Sequence, residues 1–462
     1  MKISDYQNSS YLLGTELSIF WVIPFVGILL CIAILPLIKP SFWHHNYGKI
    51  SIFWALSFLF PFTISKGLEV ALYQLFHTLL LEYFPFIILL LALYTISGGI
   101  RIKGQLSGTP QSNTLLILIG TVLASWMGTT GSAILLIRPI LRANKWRKYT
   151  VHTVVFFIFL VANIGGALTP LGDPPLFLGF LHGIDFFWTT KIMFLPMCLI
   201  AVMLLIIYYL IDSFYYMREK FQEDTIIDKE PVSIEGIGNI LLLICAISSV
   251  LMSGLWKPQL SDINLLGIHV KVQSIIRDII LILLVFMSWY MTDQKNRKKN
   301  GFTWFPIQEV SKLFVGIFIT IIPAILILQA GSDGALSGII DLLADSEGKP
   351  INSMYFWLTG ILSSFLDNAP TYLVFFNIAG SYAPQGTIMS EFLMHQMSQT
   401  LMAISAGAVF MGAMTYIGNA PNFMIQSIAE ENNVNMPSFF GYMLWSTLIL
   451  LPIFFIITFI IF

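Results

Sequence analysis

Residues 162–177 read ANIGGALTPLGDPPLF, and residues 408–423 read AVFMGAMTYIGNAPNF. Aligned without gaps at an offset of 246, seven of the sixteen positions are identical: Ala162/Ala408, Gly166/Gly412, Ala167/Ala413, Thr169/Thr415, Gly172/Gly418, Pro175/Pro421 and Phe177/Phe423. Asp173 faces Asn419. Prolines remove backbone donors and glycines permit unusual angles, so each stretch predicts a broken helix. A second pair precedes the first in the same order. ASWMGTTGSAILL (124–136) and SSFLDNAPTYLVF (363–375) each show an apolar approach, a small polar break and an apolar exit, at an offset of 239. Two elements recurring in order at nearly one spacing imply internal duplication.

The breaks lie in an apolar chain. Its 462 residues are 56% hydrophobic and 11% charged, whereas soluble domains carry roughly 25% charged residues. That excludes an ordinary soluble enzyme. Continuous runs such as WVIPFVGILLCIAILPLI (21–38) exclude the short alternating segments of a membrane barrel. The fold class is therefore an all-α polytopic membrane protein, with about 10–12 spans at about 20 residues each. Full-length runs lie near 17–38, 84–100, 150–168, 191–213, 237–253, 275–291, 311–330, 398–418 and 440–462, with shorter stretches at 50–64, 114–142, 174–183, 354–379 and 421–428. The net charge of −1 gives no support to a nucleic-acid partner. Cys31, Cys198 and Cys245 sit in separate apolar runs, without a disulfide framework or a metal-binding spacing. MKISDYQNSSYLLGTEL lacks the layout of a cleaved signal, so the first span is expected in the mature protein.

Loop charge orients the two copies. Lys and Arg concentrate on the cytoplasmic side. The loops flanking the first hairpin, 101–113 and 138–149, carry seven Lys/Arg and no acid. Those flanking the second, 331–353 and 380–397, carry Lys349 alone against five acids. Each hairpin thus leaves and returns on one face, and the two faces are opposite. This reading gives two inverted repeats, each with a re-entrant hairpin and a broken helix. Such folds place the binding site at the midplane between the repeats. The expected division is a first repeat at 1–213, a cytoplasmic linker at 214–236 and a second repeat with its preceding helices at 237–462.

Four breaks supply the candidate chemistry. The first hairpin tip offers Ser125, Gly128, Thr129, Thr130 and Ser132, hydroxyls on a loosened backbone. The second offers Ser364, Asp367, Asn368 and Thr371, a carboxylate beside a neutral amide that suits a hard cation such as sodium. The first unwound segment supplies Asn163, Thr169, Gly172 and the second intramembrane acid, Asp173. The second supplies Thr415, Gly418, Asn419 and Asn422. Asp173, Asp367, Asn163, Asn368, Thr129 and Thr130 are the expected ion or proton ligands, with Asp367, Asn368 and Asp173 as the sodium-binding set. The remaining tip residues are expected to meet substrate or shape the tips. Elsewhere, Lys66 and Glu69 read as a local pair, Glu82 and Asp185 as span-edge acids, and Arg277 and Asp278 as the outer edge of a span. His152 and His182 read as interfacial hydrogen-bonding groups, and His44 and His45 as loop residues. No nucleotide-binding loop is present, so ATP-driven transport by this chain is unsupported.

MGTTGSAILLIRPIL (127–141), VANIGGALTPLGDPPLFLGFLHGIDFFW (161–188) and SSFLDNAPTYLVF (363–375) resemble the ion transporter superfamily. Within it they are most similar to NhaD-type sodium:proton antiporters and their citrate-transporter-like relatives, with arsenite permeases further off. The resemblance covers nearly the whole chain. It implies a homodimer with a scaffold and an elevator-like transport domain in a bacterial cytoplasmic membrane. It also implies an ion site at Asp173, Asn163, Asp367 and Asn368. No cofactor is expected beyond transported sodium and protons.

Two transport readings follow. In the first, a secondary antiporter exchanges sodium or lithium for protons, Asp173 and Asp367 alternating between proton and cation. In the second, a sodium- or proton-coupled symporter moves citrate or a dicarboxylate, whose carboxylates meet Thr130, Thr371 and helix N-termini. The lack of Lys or Arg in the motifs disfavours a bare, multiply charged anion. A membrane scaffold without transport is a third reading, and duplicated breaks with two intramembrane acids argue against it.

Overall fold

The computed structural model describes residues 14–104, 106–219, 231–258 and 261–462. Eight helices are long and apolar enough to cross a membrane: Ile19–Ile38, Pro40–Lys66, Leu68–Ser97, Val151–Leu168, Phe186–Tyr216, Ile237–Leu255, Val272–Met291 and Phe439–Ile461. Two bent pairs, Phe305–Thr320 with Ile322–Gln329 and Met389–His395 with Ser398–Met414, bring the total to ten. The chain is an all-α polytopic membrane protein. Two small antiparallel ribbons are the sheet structure of the described residues.

Burial separates centre from periphery. Ile19–Ile38 is apolar all round but only 17% of its window is buried, whereas 89% of Val151–Leu168 is buried. A helix apolar on every face needs either protein or lipid around it. Here the outer helices face lipid and the broken one forms the protein core. Val154 to Ala162 are wholly enclosed.

Between the spans lie two helical hairpins. Pro110–Met127 and Thr129–Ala143 fold back at Gly128, whose φ of +81° suits glycine. Ser132 Oγ donates to Gly120 O across the arms (2.8 Å). At the open end, Asn113 and Asn144 exchange amide hydrogen bonds of 2.9 and 2.8 Å. The second hairpin, Asn352–Phe365 and Asn368–Gly380, packs Tyr355 edge-on against Phe375 (6.3 Å).

Several polar residues sit where sequence reasoning did not put them. Lys66 pairs with Glu16 (3.3 Å), not Glu69. Gly67 ends the first helix with φ +91°, so the helical spacing that would join Lys66 to Glu69 is lost. Glu82 is no span-edge acid, for Leu68–Ser97 runs unbroken through a π-turn at Leu79–Tyr83. Arg277 does lie near one end of its span, Val272–Met291, but is buried there. It is 1% exposed, donates to Asp278 (2.8 Å) and lies over the Phe177 ring (5.9 Å). Arg147, counted as a loop charge, is enclosed against Asp212 (2.6 Å). Asp212 also meets His152 Nε2 (2.8 Å) and accepts from Asn113 (3.1 Å) and Tyr208 (3.2 Å). An ion pair taken from water needs such extra hydrogen bonds to hold.

The expected linker 214–236 lies partly outside the described residues, at 220–230. Of the rest, 214–216 continue the helix Phe186–Tyr216, and Ser233–Glu235 pairs antiparallel with Arg101–Lys103. Arg101 and Glu235 close that ribbon with a 2.8 Å salt bridge. The far end of the linker is thereby fastened beside the first hairpin.

Candidate functional site

The two unwound segments carry the same hydrogen bonds at equivalent positions. Ser125 Oγ donates to Gly165 O (2.5 Å), and Ser364 Oγ donates to Met411 O (3.0 Å). Thr169 Oγ1 donates to Ser125 O, and Thr415 Oγ1 donates to Ser364 O. The Thr169 hydroxyl accepts from Leu171 N (3.1 Å), and the Thr415 hydroxyl accepts from Ile417 N (3.2 Å). Each threonine thus ties a hairpin tip to a helix break and satisfies backbone groups that the break sets free. Gly172 and Gly418 are required by close approach. A Cβ on them would stand 2.1 Å from Gly166 O and 2.6 Å from Gly412 O.

On this frame four side chains meet. Asp173 is 2% exposed. Its carboxylate accepts from Thr129 Oγ1 (3.2 Å), Asn368 Nδ2 (2.5 Å) and Asn419 Nδ2 (3.1 Å). Each member of this quartet opens a helix. Thr129 and Asn368 are the first residues of Thr129–Ala143 and Asn368–Gly380. Asp173 and Asn419 stand immediately before Pro174–Leu181 and Ala420–Glu431, their side chains turned to the quartet instead of capping. Four helix N-termini therefore converge on one carboxylate.

A helix N-terminus carries roughly half a positive elementary charge. Four such ends favour negative charge at and beside the Asp173 carboxyl. The donors to Asp173 are a hydroxyl and two amides, so no cationic side chain is spent on it. An amide presents either its N–H₂ or its oxygen. Turning Asn368 or Asn419 over converts a donor to the carboxylate into an oxygen ligand for a cation beside it. Asn368 Oδ1 is already buried without a hydrogen-bond partner. Hydroxyl, amide and carboxylate oxygens suit a hard monovalent or divalent cation. Among the described residues no three His, Cys, Asp or Glu side chains converge as a transition-metal site would need.

The structure brings together only part of the expected set. Asn163 stands one step back: it donates to Asn422 Oδ1 (2.8 Å) and accepts from Asn419 Nδ2 (3.3 Å). Asp367 is half-buried and caps its own helix, accepting from Ala369 N (3.0 Å). Thr371 Oγ1 donates to Asp367 O (3.0 Å), a bond within the helix. Thr130 is half-buried one residue beyond Thr129. Ser125, Ser132, Ser364, Thr169 and Thr415 spend their hydroxyls on backbone carbonyls. Gly128, Gly172 and Gly418 make room.

Asn422, one of the amides of the second unwound segment, takes a supporting place. Its Nδ2 donates to Gly412 O (2.8 Å) and Thr415 O (2.9 Å), bracing the second break while its oxygen receives Asn163. The signal was its place in the neutral segment, one helical turn past Asn419. Residues 14–462 match the model of a protein family described as "Putative citrate transport". No curated protein matches the chain.

Proposed function

The chain belongs to this citrate-transport family, and from that premise we propose that it carries a citrate-type polycarboxylate together with coupling cations. The observation that carries the reading is the convergence of four helix N-termini on Asp173. Their partial positive charge attracts an anion without a lysine or arginine, yet falls short of balancing a multiply charged one. The remainder is neutralised by sodium or protons bound with the anion, or by a metal ion chelated to it. Asp173, Thr129, Asn368 and Asn419 hold the cation, with Asn163 and Asn422 fixing the amides. Asp367, Thr130 and Thr371 at the hairpin tip meet the substrate. A neutralised complex crosses the low-dielectric interior where bare charges are costly.

The same reading takes 1–213 and 237–462 as inverted repeats joined by a cytoplasmic linker at 214–236. The matched hydrogen bonds at Thr169 and Thr415 support it. The working unit is a homodimer in a bacterial cytoplasmic membrane.

Purified protein in proteoliposomes tests the proposal. Labelled citrate is expected to accumulate when a sodium or proton gradient points inward, and not without one. Failure of citrate, succinate and metal–citrate to enter under every gradient would overturn it. Sodium:proton antiport is the second reading, favoured by a buried carboxylate lined with amide groups. Proton release from loaded vesicles on addition of Na+ or Li+ alone, lost in Asp173→Asn, identifies that case.

A further inference from the structure

A second pair of ionisable side chains, Glu82 buried and His182 half-buried, lies away from Asp173. Glu82 is 9% exposed and lies in the π-turn Leu79–Tyr83. Such turns within α-helices are rare and frequent at functional sites. His182 closes the half-helix Pro174–Leu181 that Asp173 opens. Its Nε2 stands 4.0 Å from Glu82 Oε1. Glu82 Oε2 and His182 Nε2 both lack a hydrogen-bond partner. The His182 ring packs against Phe376 of the second hairpin (5.6 Å). Leaving buried polar atoms unpaired costs about 1–3 kcal/mol each, so two together call for a use.

The pair has one net-neutral composition in which it holds a single proton. Either Glu82 is a carboxyl beside neutral imidazole, or a carboxylate faces imidazolium. Losing that proton leaves one uncompensated negative charge on a buried carboxylate, a costly state. We propose that Glu82 and His182 form a proton-binding site separate from the Asp173 centre, and that this proton is a coupling ion. This rests on the transport reading above. Binding draws carboxyl and imidazole from 4.0 Å to hydrogen-bond distance, about 2.8 Å. Glu82 belongs to the long helix Leu68–Ser97, and His182 to the half-helix whose other end is Asp173. The shared proton therefore fastens the helix that carries the central carboxylate to its neighbour, and release frees it.

The surrounding ionisable groups are few. His77 and Glu69 precede Glu82 on its own helix, and His77 acts on His182 electrostatically. Tyr83 donates to Ser311 O (3.1 Å), and Tyr94 on the same helix donates to Thr303 O (2.6 Å). Glu309 and Lys312 lie on Phe305–Thr320, with Lys312 over the Tyr47 ring (5.5 Å). Asp185 follows His182, Tyr372 stacks on Phe376, and Glu391 and His395 lie on Met389–His395. None of these forms a salt bridge to the pair among the described residues.

Purified full-length protein in detergent is titrated between about pH 5 and about pH 8, the range in which imidazole and buried carboxyl groups exchange protons. Glu82→Gln is expected to take up about one proton fewer than wild type, and Glu82→Asp to keep it. His182→Gln is expected to keep the proton and shift its midpoint by about one pH unit or more. In proteoliposomes an inward proton gradient is expected to accelerate citrate uptake by wild type and Glu82→Asp but not by Glu82→Gln. A wild-type titration curve or an undiminished gradient response in Glu82→Gln overturns the proposal. Should that variant fail to fold, an unmoved midpoint in His182→Gln overturns it instead. The titration needs no substrate, so wild-type protein that moves neither citrate, succinate nor metal–citrate defeats the transport reading while the proton count still judges the site.

Discussion

The unwound stretch at 163–173 and its counterpart at 409–419 share a skeleton and differ in charge. Thr169 and Thr415 make the same bonds, and Gly172 and Gly418 sit under the same constraint. Yet one stretch ends in Asp173 and the other in Asn419. The hairpin tips show the reverse asymmetry, with Gly128-Thr129 against Asp367-Asn368. Asp173 collects three side-chain donors, one from its own half and two from the other. Asp367 receives a backbone N–H from its own helix. Hydroxyls and glycines hold the breaks open, while of the two acids at these helix ends only Asp173 gathers side chains from both halves. Equal geometry does not make the two acids equal.

The sharpest way to break this comparison is to exchange the acids' roles by substitution. Asp173→Asn removes the carboxyl on which all four helix ends converge. Loss of an electrostatic contact worth about 3 kcal/mol predicts an uptake rate down by about 100-fold. Equal losses for Asp173→Asn and Asp367→Asn would show that position in the quartet does not matter. Next come the glycines. Gly172→Ala and Gly418→Ala press a methyl into a backbone carbonyl, at 2.1 and 2.6 Å. Each is expected to lower stability by about 1–3 kcal/mol or more, Gly172→Ala by the larger amount, read as thermal denaturation in detergent.

The threonines test the shared skeleton itself. Thr169→Val and Thr415→Val each strip a donor from a buried carbonyl, at about 1–3 kcal/mol. The two losses are expected to agree within about 1 kcal/mol, and a clear difference would mean that the matched bonds are not equivalent supports. The smallest effect belongs to Asp367→Asn. Asparagine caps a helix as well as aspartate, so stability is expected to stay within about 0.5 kcal/mol of wild type. Transport is expected to fall by about tenfold or less.

Much of this was legible in the residues. Glycine and proline mark helix breaks because they act on the backbone locally, so GDPP and DNAP announced themselves. The duplication was visible because breaks of one kind recur at one spacing. Glu82 was misread because polar residues at 69, 74, 77 and 82 make the first half of its helix look too polar to span. The π-turn that carries the chain through has no sequence signature. Arg147 was misread because a basic residue in a basic loop looks solvated until Asp212, 65 residues on, is placed against it.

The sequence by itself determined the class of the molecule, the four breaks and the residue types at each, since hydropathy and backbone freedom are properties of short segments. Only the tertiary structure decided which helix ends meet. Asn368 and Asn419 reach Asp173 across 195 and 246 residues. His182 meets Glu82 from a different element of the fold. Such pairings depend on how apolar helices pack and on which polar groups are left to satisfy one another once water is excluded. That competition is settled by the whole fold, and no local stretch of residues encodes it.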